Sequence, residues 1–132
     1  MSKKILVVDD DPDVRLFSQT VLEENGYIPI LAGNGLEGEE AIRKEKPDLV
    51  VLDVLMPRES GVRLYRNMKT DKKFKDIPII ILSGISENSF LRSQKVLTQF
   101  GGDPVPAPEA YLEKPVDGEV LADTIKHILD RS

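Results

Sequence analysis

The chain has 132 residues, 18 of them basic and 23 acidic, for a formal net charge of −5 at pH 7. That length bounds it to one ordinary domain around a single core, and the acidic balance argues against direct contact with nucleic acid. It has no cysteine, which excludes disulfides and thiolate metal sites; no apolar run is long enough for a secretory signal or a membrane span, so the expected location is the cytoplasm.

Residues 4–8, KILVV, read as strand one, its continuous apolar run from Ile5 to Val8 being of the kind a strand buried on both faces requires. Asp11 then caps a helix with Pro12 at its first position, Val14, Phe17 and Val21 on its inner face and Gly26 as its stop. Residues 27–31, YIPIL, read as a second strand, and Pro29 places that strand at a sheet edge. Asn34 caps a helix to about Lys46, weakened by Gly38 at its middle. Residues 48–53, DLVVLD, form strand three. Leu64, Tyr65 and Met68 recur at helical spacing within 61–70, and 77–83, IPIIILS, is strand four. A helix over about 87–100 has Phe90, Leu97 and Phe100 inward. Residues 110–114, AYLEK, form a short fifth strand, and Asp117 caps a last helix with Leu121, Ile125, Ile128 and Leu129 inward. Five buried strands alternating with five helices predict a doubly wound α/β fold, a parallel sheet covered on both sides. The stretch 101–108, GGDPVPAP, reads as a loop insertion.

Polar residues collect where the strands end. Asp9, Asp10 and Asp11 follow strand one, Asp53 ends strand three, Ser83 ends strand four and Lys114 ends strand five. In an open parallel sheet, ligands gather outside the carboxyl ends of the strands. Carboxylates crowded there repel one another unless a cation sits among them, and hard oxygen ligands with room for water suit Mg²⁺, or Mn²⁺. Asp11 is better read as the helix cap. An ammonium and a hydroxyl facing a metal-bound carboxylate are what an incoming phosphoryl group needs, which makes Asp53 a nucleophile that forms an aspartyl phosphate. His127, on the outer side of the last helix, receives no role.

One competing motif points elsewhere. GNGLEG, residues 33–38, matches the glycine pattern of a dinucleotide site, and Asp53 lies 20 residues beyond Gly33. The pattern follows the second strand rather than the first, no second mononucleotide half exists, and the acidic cluster and Lys114 would be left without work. Asn34-Gly35 reads better as the start of a helix. A degenerate domain that only docks partners is disfavoured because each residue needed for phosphorylation is present.

Taken in order along the chain, VVDDDPD, LDVLMP, Gly61, ILSG, AYLEKP and Lys114-Pro115 resemble the receiver domains of two-component response regulators, in the single-domain form used in chemotaxis. The resemblance spans essentially the whole chain. It implies a flavodoxin-like five-stranded sheet of order 2-1-3-4-5, for which a receiver is a standard example. It implies Asp53 as phosphoacceptor, Asp9 and Asp10 as metal carboxylates with the backbone carbonyl of Leu55, Lys114 paired with the phosphoryl oxygens, and Ser83 bonded to one of them. Tyr111 would be the aromatic that changes rotamer, against the plainer reading that it packs in a core strand. The phosphoryl donor implied is a phosphohistidine on a sensor histidine kinase or a histidine phosphotransfer domain. Output would pass through the face made by helix four, strand five and helix five to a downstream protein, with phosphorylation-dependent homodimerisation left open. The protein would be a phosphoacceptor switch rather than an enzyme in the usual sense, one domain over 1–132 without an output domain. Two departures stand out: Ser at 83 where Thr is commoner, and nine residues, 101–109, where such connections usually have about 2 to 6. That insertion either tunes partner choice or is a tolerated surface loop.

Overall fold

The backbone is described, in a computed structural model, over residues 2–99 and 104–131. Its strands are β1 (Lys4–Val8), β2 (Ile28–Ala32), β3 (Leu49–Leu52), β4 (Ile79–Ser83) and β5 (Ala110–Glu113). They alternate with α1 (Pro12–Glu24), α2 (Gly35–Glu45), α3 (Ser60–Thr70), α4 (Glu87–Gln99) and α5 (Gly118–Leu129), with a 3-10 turn at Pro57–Glu59 before α3. All strand pairs are parallel and the order is β2-β1-β3-β4-β5. The continuous apolar runs become the middle of the sheet because alternate side chains must enter two different cores. On one side Leu6, Val8, Val50 and Leu52 pack with Leu64, Tyr65 and Phe90. On the other, Ile5, Val7, Leu49 and Val51 pack with Leu22, Leu121 and Ile125.

Helix starts follow their caps. Asp11 accepts from the Asp13 N–H at 2.9 Å, Asn34 from the Glu37 N–H at 2.9 Å and Asp117 from the Glu119 N–H at 2.8 Å. Pro29 lies in edge strand β2, where a missing N–H is tolerated. That strand starts one residue later than its sequence suggests, because the Tyr27 N–H is spent on the Leu22 carbonyl, closing the end of α1. Gly26, at φ +80°, makes the turn.

One detail departs from expectation. The inner face of α1 centres on Ser18, Val21 and Leu22, while Phe17, 37% exposed, sits at its margin beside Pro115 and Val116. Of the inner residues expected in α4, Phe90 is buried; Phe100 and the Leu97 side chain lie outside the described residues, as do residues 101–103.

Ser18 is fully buried and its hydroxyl has no partner among the described residues. An unpaired buried hydroxyl costs about 1–3 kcal/mol, and Ala is also the better helix former. Ser18→Ala is therefore expected to stabilise the chain by about 1 kcal/mol, a rise of a few degrees in thermal midpoint. A lower midpoint would show that the hydroxyl has an internal water or other partner.

Candidate functional site

The carboxyl ends of β1, β3, β4 and β5 bring Asp9, Asp10, Asp53, Ser83 and Lys114 to one edge of the sheet. Asp9 and Asp53 are almost wholly buried, Ser83 is fully buried, and Asp10 is exposed. Asp53 Oδ1 accepts from the Leu55 N–H at 2.8 Å and from the Ser83 hydroxyl at 2.7 Å; Oδ2 accepts from Lys114 Nζ at 3.2 Å. Lys114 Nζ also donates to Asp9 Oδ2 at 2.8 Å. Asp9 Oδ1 accepts the Asp11 N–H at 2.9 Å. The Lys114–Pro115 peptide is cis.

The charges do not balance. Three carboxylates face one ammonium, and ligand atoms of Asp9, Asp10 and Asp53 lie within 4.8 Å of one another. Burial pushes the Asp9 carboxyl above its ordinary range; the Lys114 and Asp11 bonds oppose this and the Asp53 charge adds to it. For Lys114, burial pulls downward, but the bond to Asp9 and the charges of Asp53 and Asp9 outweigh it and leave the ammonium held above its ordinary range. The lysine gains from the arrangement while Asp9 nets a penalty that comes mainly from burial, and three carboxylates against one ammonium leave the cluster short of positive charge. An all-oxygen donor set with one member open to solvent fits a hard divalent cation that keeps some of its water.

Packing fixes the site's backbone. A Cβ on Gly61 would lie 2.1 Å from the Asp53 carbonyl oxygen and 2.8 Å from Val54 Cα, so the start of α3 presses directly on the end of β3. A Cβ on Gly84 would meet nothing within 4 Å, leaving open space beside Ser83. The glycines of GNGLEG have a packing explanation as well. A Cβ on Gly35 would approach the Ser60 carbonyl to 2.5 Å, and one on Gly38 would approach Leu64 to 2.9 Å and Val8 to 3.0 Å. They let α2 lie close to α3 and β1; no phosphate cradle is needed to account for them.

Tyr111 stands behind Ser83. Its hydroxyl donates to the Ile85 carbonyl at 2.7 Å, and its ring lies 5.7 Å from that of Phe90, which in turn meets Tyr65 edge-on at 5.4 Å. Burial, then the charges of Glu113, Asp53 and Glu87, push the Tyr111 phenol up to about 12, so it remains a donor across the physiological range. His127 is exposed, as expected. One contributor, Arg15, and one role, that of the Leu55 N–H, are not apparent in the sequence. Arg15 Nη1 donates to the Asp9 carbonyl at 2.7 Å, tying α1 to the acidic loop, and Leu55 serves Asp53 through its N–H. An arginine in the first turn of a helix that follows an acidic strand end is the only hint of the former.

The sequence profile of the family described as "Response regulator receiver domain" matches residues 5–126. The chain is a receiver domain of that family. Such receivers are phosphoacceptors of two-component systems rather than enzymes in the usual sense. The receiver is similar to sporulation initiation phosphotransferase F of Bacillus subtilis, 30% identical over 98% of this chain and 95% of that protein. It is similar also to protein PilH of Pseudomonas aeruginosa, 34% identical over 96% and 97% of the two chains. Among solved structures, the signal receiver domain of a signal transduction histidine kinase from Syntrophus aciditrophicus superposes with a TM-score of 0.82 at 30% identity, covering 98% of this chain and 92% of that one. No described helix of the receiver is long and apolar enough to cross a membrane.

Proposed function

We propose that this receiver is a switch operated by transfer of a phosphoryl group from a phosphohistidine to Asp53. The observation that carries the reading is the set of donors on one carboxylate: Leu55 N–H, the Ser83 hydroxyl and the Lys114 ammonium all converge on Asp53, beside Asp9 and Asp10. A carboxylate oxygen of Asp53 attacks phosphorus, the P–N bond to the donor imidazole breaks, and the departing nitrogen takes a proton. Once phosphorylated, Asp53 is a weaker acceptor, so the Ser83 hydroxyl and Lys114 turn to the new phosphoryl oxygens. Asp9, Asp10 and Asp53, with the Leu55 carbonyl as a further ligand, would hold Mg²⁺ or Mn²⁺. Bound there, the ion supplies the positive charge that the carboxylates and phosphoryl oxygens together require.

The donor domain needs a docking surface next to Lys114. An apolar hollow of about 480 Å³ formed by Val14, Phe17, Pro115 and Val116 lies beside it, which gives the exposed edge of Phe17 a role. On the output side, Ser83, Ile85 and Tyr111 form a bonded chain. The Ile85 N–H points to Ser83 Oγ at 3.4 Å, and the Tyr111 hydroxyl holds the Ile85 carbonyl. Drawing Ser83 toward a phosphoryl group therefore pulls on the loop that fixes Tyr111, and the shift reaches the groove between α4, β5 and α5, where Glu87, Glu113 and Val120 also lie. A downstream protein, or a second phosphorylated copy, is the reader of that face.

Incubation with acetyl phosphate and Mg²⁺ tests the reading. The expected result is one acid-stable, base-labile phosphoryl adduct, located at Asp53 by peptide mass spectrometry after reductive trapping and not formed when the metal is chelated beforehand. An adduct on another carboxylate would reject the assignment.

The adduct's lifetime should be long. Leu55, 63% exposed, and half-buried Ile85 flank the site with apolar side chains that cannot position a water for in-line attack. The double change Leu55→Asn with Ile85→Glu is expected to speed phosphate loss by about tenfold or more, since a polar group holding water recovers part of general-base assistance. An unchanged half-life would count against gating by these two positions.

A further inference from the structure

The proline-bearing segment before β5 is built into the fold. Val105 packs against the core on the α2–α4 side, and the Tyr65 hydroxyl donates to the Pro106 carbonyl. Glu109 closes the segment with a double clamp. Its carboxylate accepts from Lys69 Nζ at 2.8 and 2.9 Å and from the Ile79 N–H at 2.6 Å, and its own N–H reaches the Ile79 carbonyl at 3.0 Å. The Lys69 side chain is only 3% exposed, so this ion pair is poorly screened and breaking it would strand a buried charge. Burial, then the Glu109 charge, hold the Tyr65 phenol well above its ordinary range, so it stays a donor to the segment.

Between this anchored segment and α4 runs a groove of about 670 Å³, with the buried Tyr65 and Phe90 rings beneath it and Pro104 to Ala107 as its wall. Leu91, Arg92 and Lys95 of α4 form the opposite rim. Leu91 is 37% exposed. The charge here opposes that of the whole chain. Helices α3 and α4 carry Arg63, Arg66, Lys69, Arg92 and Lys95 against a single acidic residue, Glu87, in a protein of net charge −5. Arg66 is engaged with Gln94 at 2.6 Å and Lys69 with Glu109, whereas exposed Arg92 and Lys95 make no ion pair among the described residues. Prolines at 104 and 106 remove N–H donors from the wall, so it cannot accept a peptide by strand pairing. What remains is apolar contact in the groove and positive charge on its rim. A wall anchored at Val105, Pro106 and Glu109 also loses little freedom on binding.

We propose that the groove between α4 and Pro104–Ala107 docks an acidic segment of a partner protein, its carboxylates on Arg92 and Lys95 and an apolar side chain against exposed Leu91 and Pro106. The site is separate from Asp53, and its contact residues Leu91, Arg92, Lys95 and Pro106 do not line the groove beside Tyr111, although the buried Phe90 ring lies against both. It is tested on the unphosphorylated chain, so its failure and a failure of the phosphoacceptor reading are told apart.

The probe is a fluorescein-labelled peptide, Glu-Asp-Leu-Glu-Glu-Phe-Asp-Glu, followed by anisotropy and by amide shifts in ¹⁵N-labelled protein. A peptide with every acidic residue replaced by lysine is the control. The acidic peptide is expected to shift Leu91, Arg92, Lys95, Val105 and Ala107, and the double variant Arg92→Glu with Lys95→Glu is expected to weaken binding by about tenfold or more while leaving the thermal midpoint unchanged. Equal binding of the basic peptide, shifts centred on Tyr111 and Val120, no shift at about 1 mM peptide, or unaltered affinity in the double variant would each overturn the proposal. So would sedimentation showing that the groove is filled by a second copy of the chain.

Discussion

Asp53→Asn is expected to abolish phosphoryl incorporation from acetyl phosphate, by at least about a hundredfold in rate, with the thermal midpoint within a few degrees of the parent. The amide keeps an oxygen where Oδ1 now accepts from Leu55 and Ser83, so two of the three donors on the side chain remain satisfied. Lys114 loses its 3.2 Å contact with Oδ2 but keeps Asp9 at 2.8 Å. Removing one of two neighbouring buried carboxylates also relieves the repulsion that helps push the Asp9 carboxyl upward. These gains and losses oppose each other, which is why stability should barely move. Chemistry changes far more, because an amide nitrogen or carbonyl is a poor nucleophile toward phosphorus. Labelling at the parent rate, with the fold retained, would place the acceptor elsewhere.

The largest effect on stability is expected from Gly61→Ala. Its added carbon would sit 2.1 Å from the Asp53 carbonyl oxygen, and the obstacle is backbone, so no rotamer change relieves it. Either α3 moves away from β3, opening the core around Leu64 and Tyr65, or the end of β3 moves with Asp53 on it. We expect a loss of about 3 kcal/mol or more, read as a drop of roughly 10 °C or more in thermal midpoint. Surviving folded protein should label more slowly than the parent. Gly84→Ala is the control, since nothing lies within 4 Å of the added carbon, and it should stay within about 0.5 kcal/mol of the parent. A Gly61→Ala midpoint equal to that of the control would mean that α3 and β3 are not in close contact.

Much of the site was legible because each part of it is written locally. The run from Ile5 to Val8 and its counterparts at 49–52 and 79–82 are apolar at every position, which only a strand covered on both faces tolerates. The residue following each run then falls at the same sheet edge, because strands joined by helices are parallel. That is why Asp9, Asp53, Ser83 and Lys114 could be placed together without a single distance. The caps at Asp11, Asn34 and Asp117 were equally readable, since a cap satisfies N–H groups two or three residues along the chain.

What the sequence did not disclose involves partners far apart along it. Phe17 fits the helical spacing of an inner face, yet the packing of α1 on the sheet turns Ser18 and Leu22 inward and leaves Phe17 beside Val116. Lys69 lies on the apolar stripe of α3, one turn after Tyr65, and nothing local says that its charge is met 40 residues later by Glu109. The glycines at 35 and 38 imitate a nucleotide motif, and the approach of Ser60 and Leu64 explains them instead. Local pattern thus determined the strands, the caps and the edge where the chemistry gathers, because those depend on solvent exposure and on hydrogen bonds a few residues long. Tertiary structure decided which oxygen each donor meets, which lysine is buried, and that the proline segment forms the wall of a groove. Those contacts depend on how whole helices settle against the sheet, and no short window of sequence carries that information.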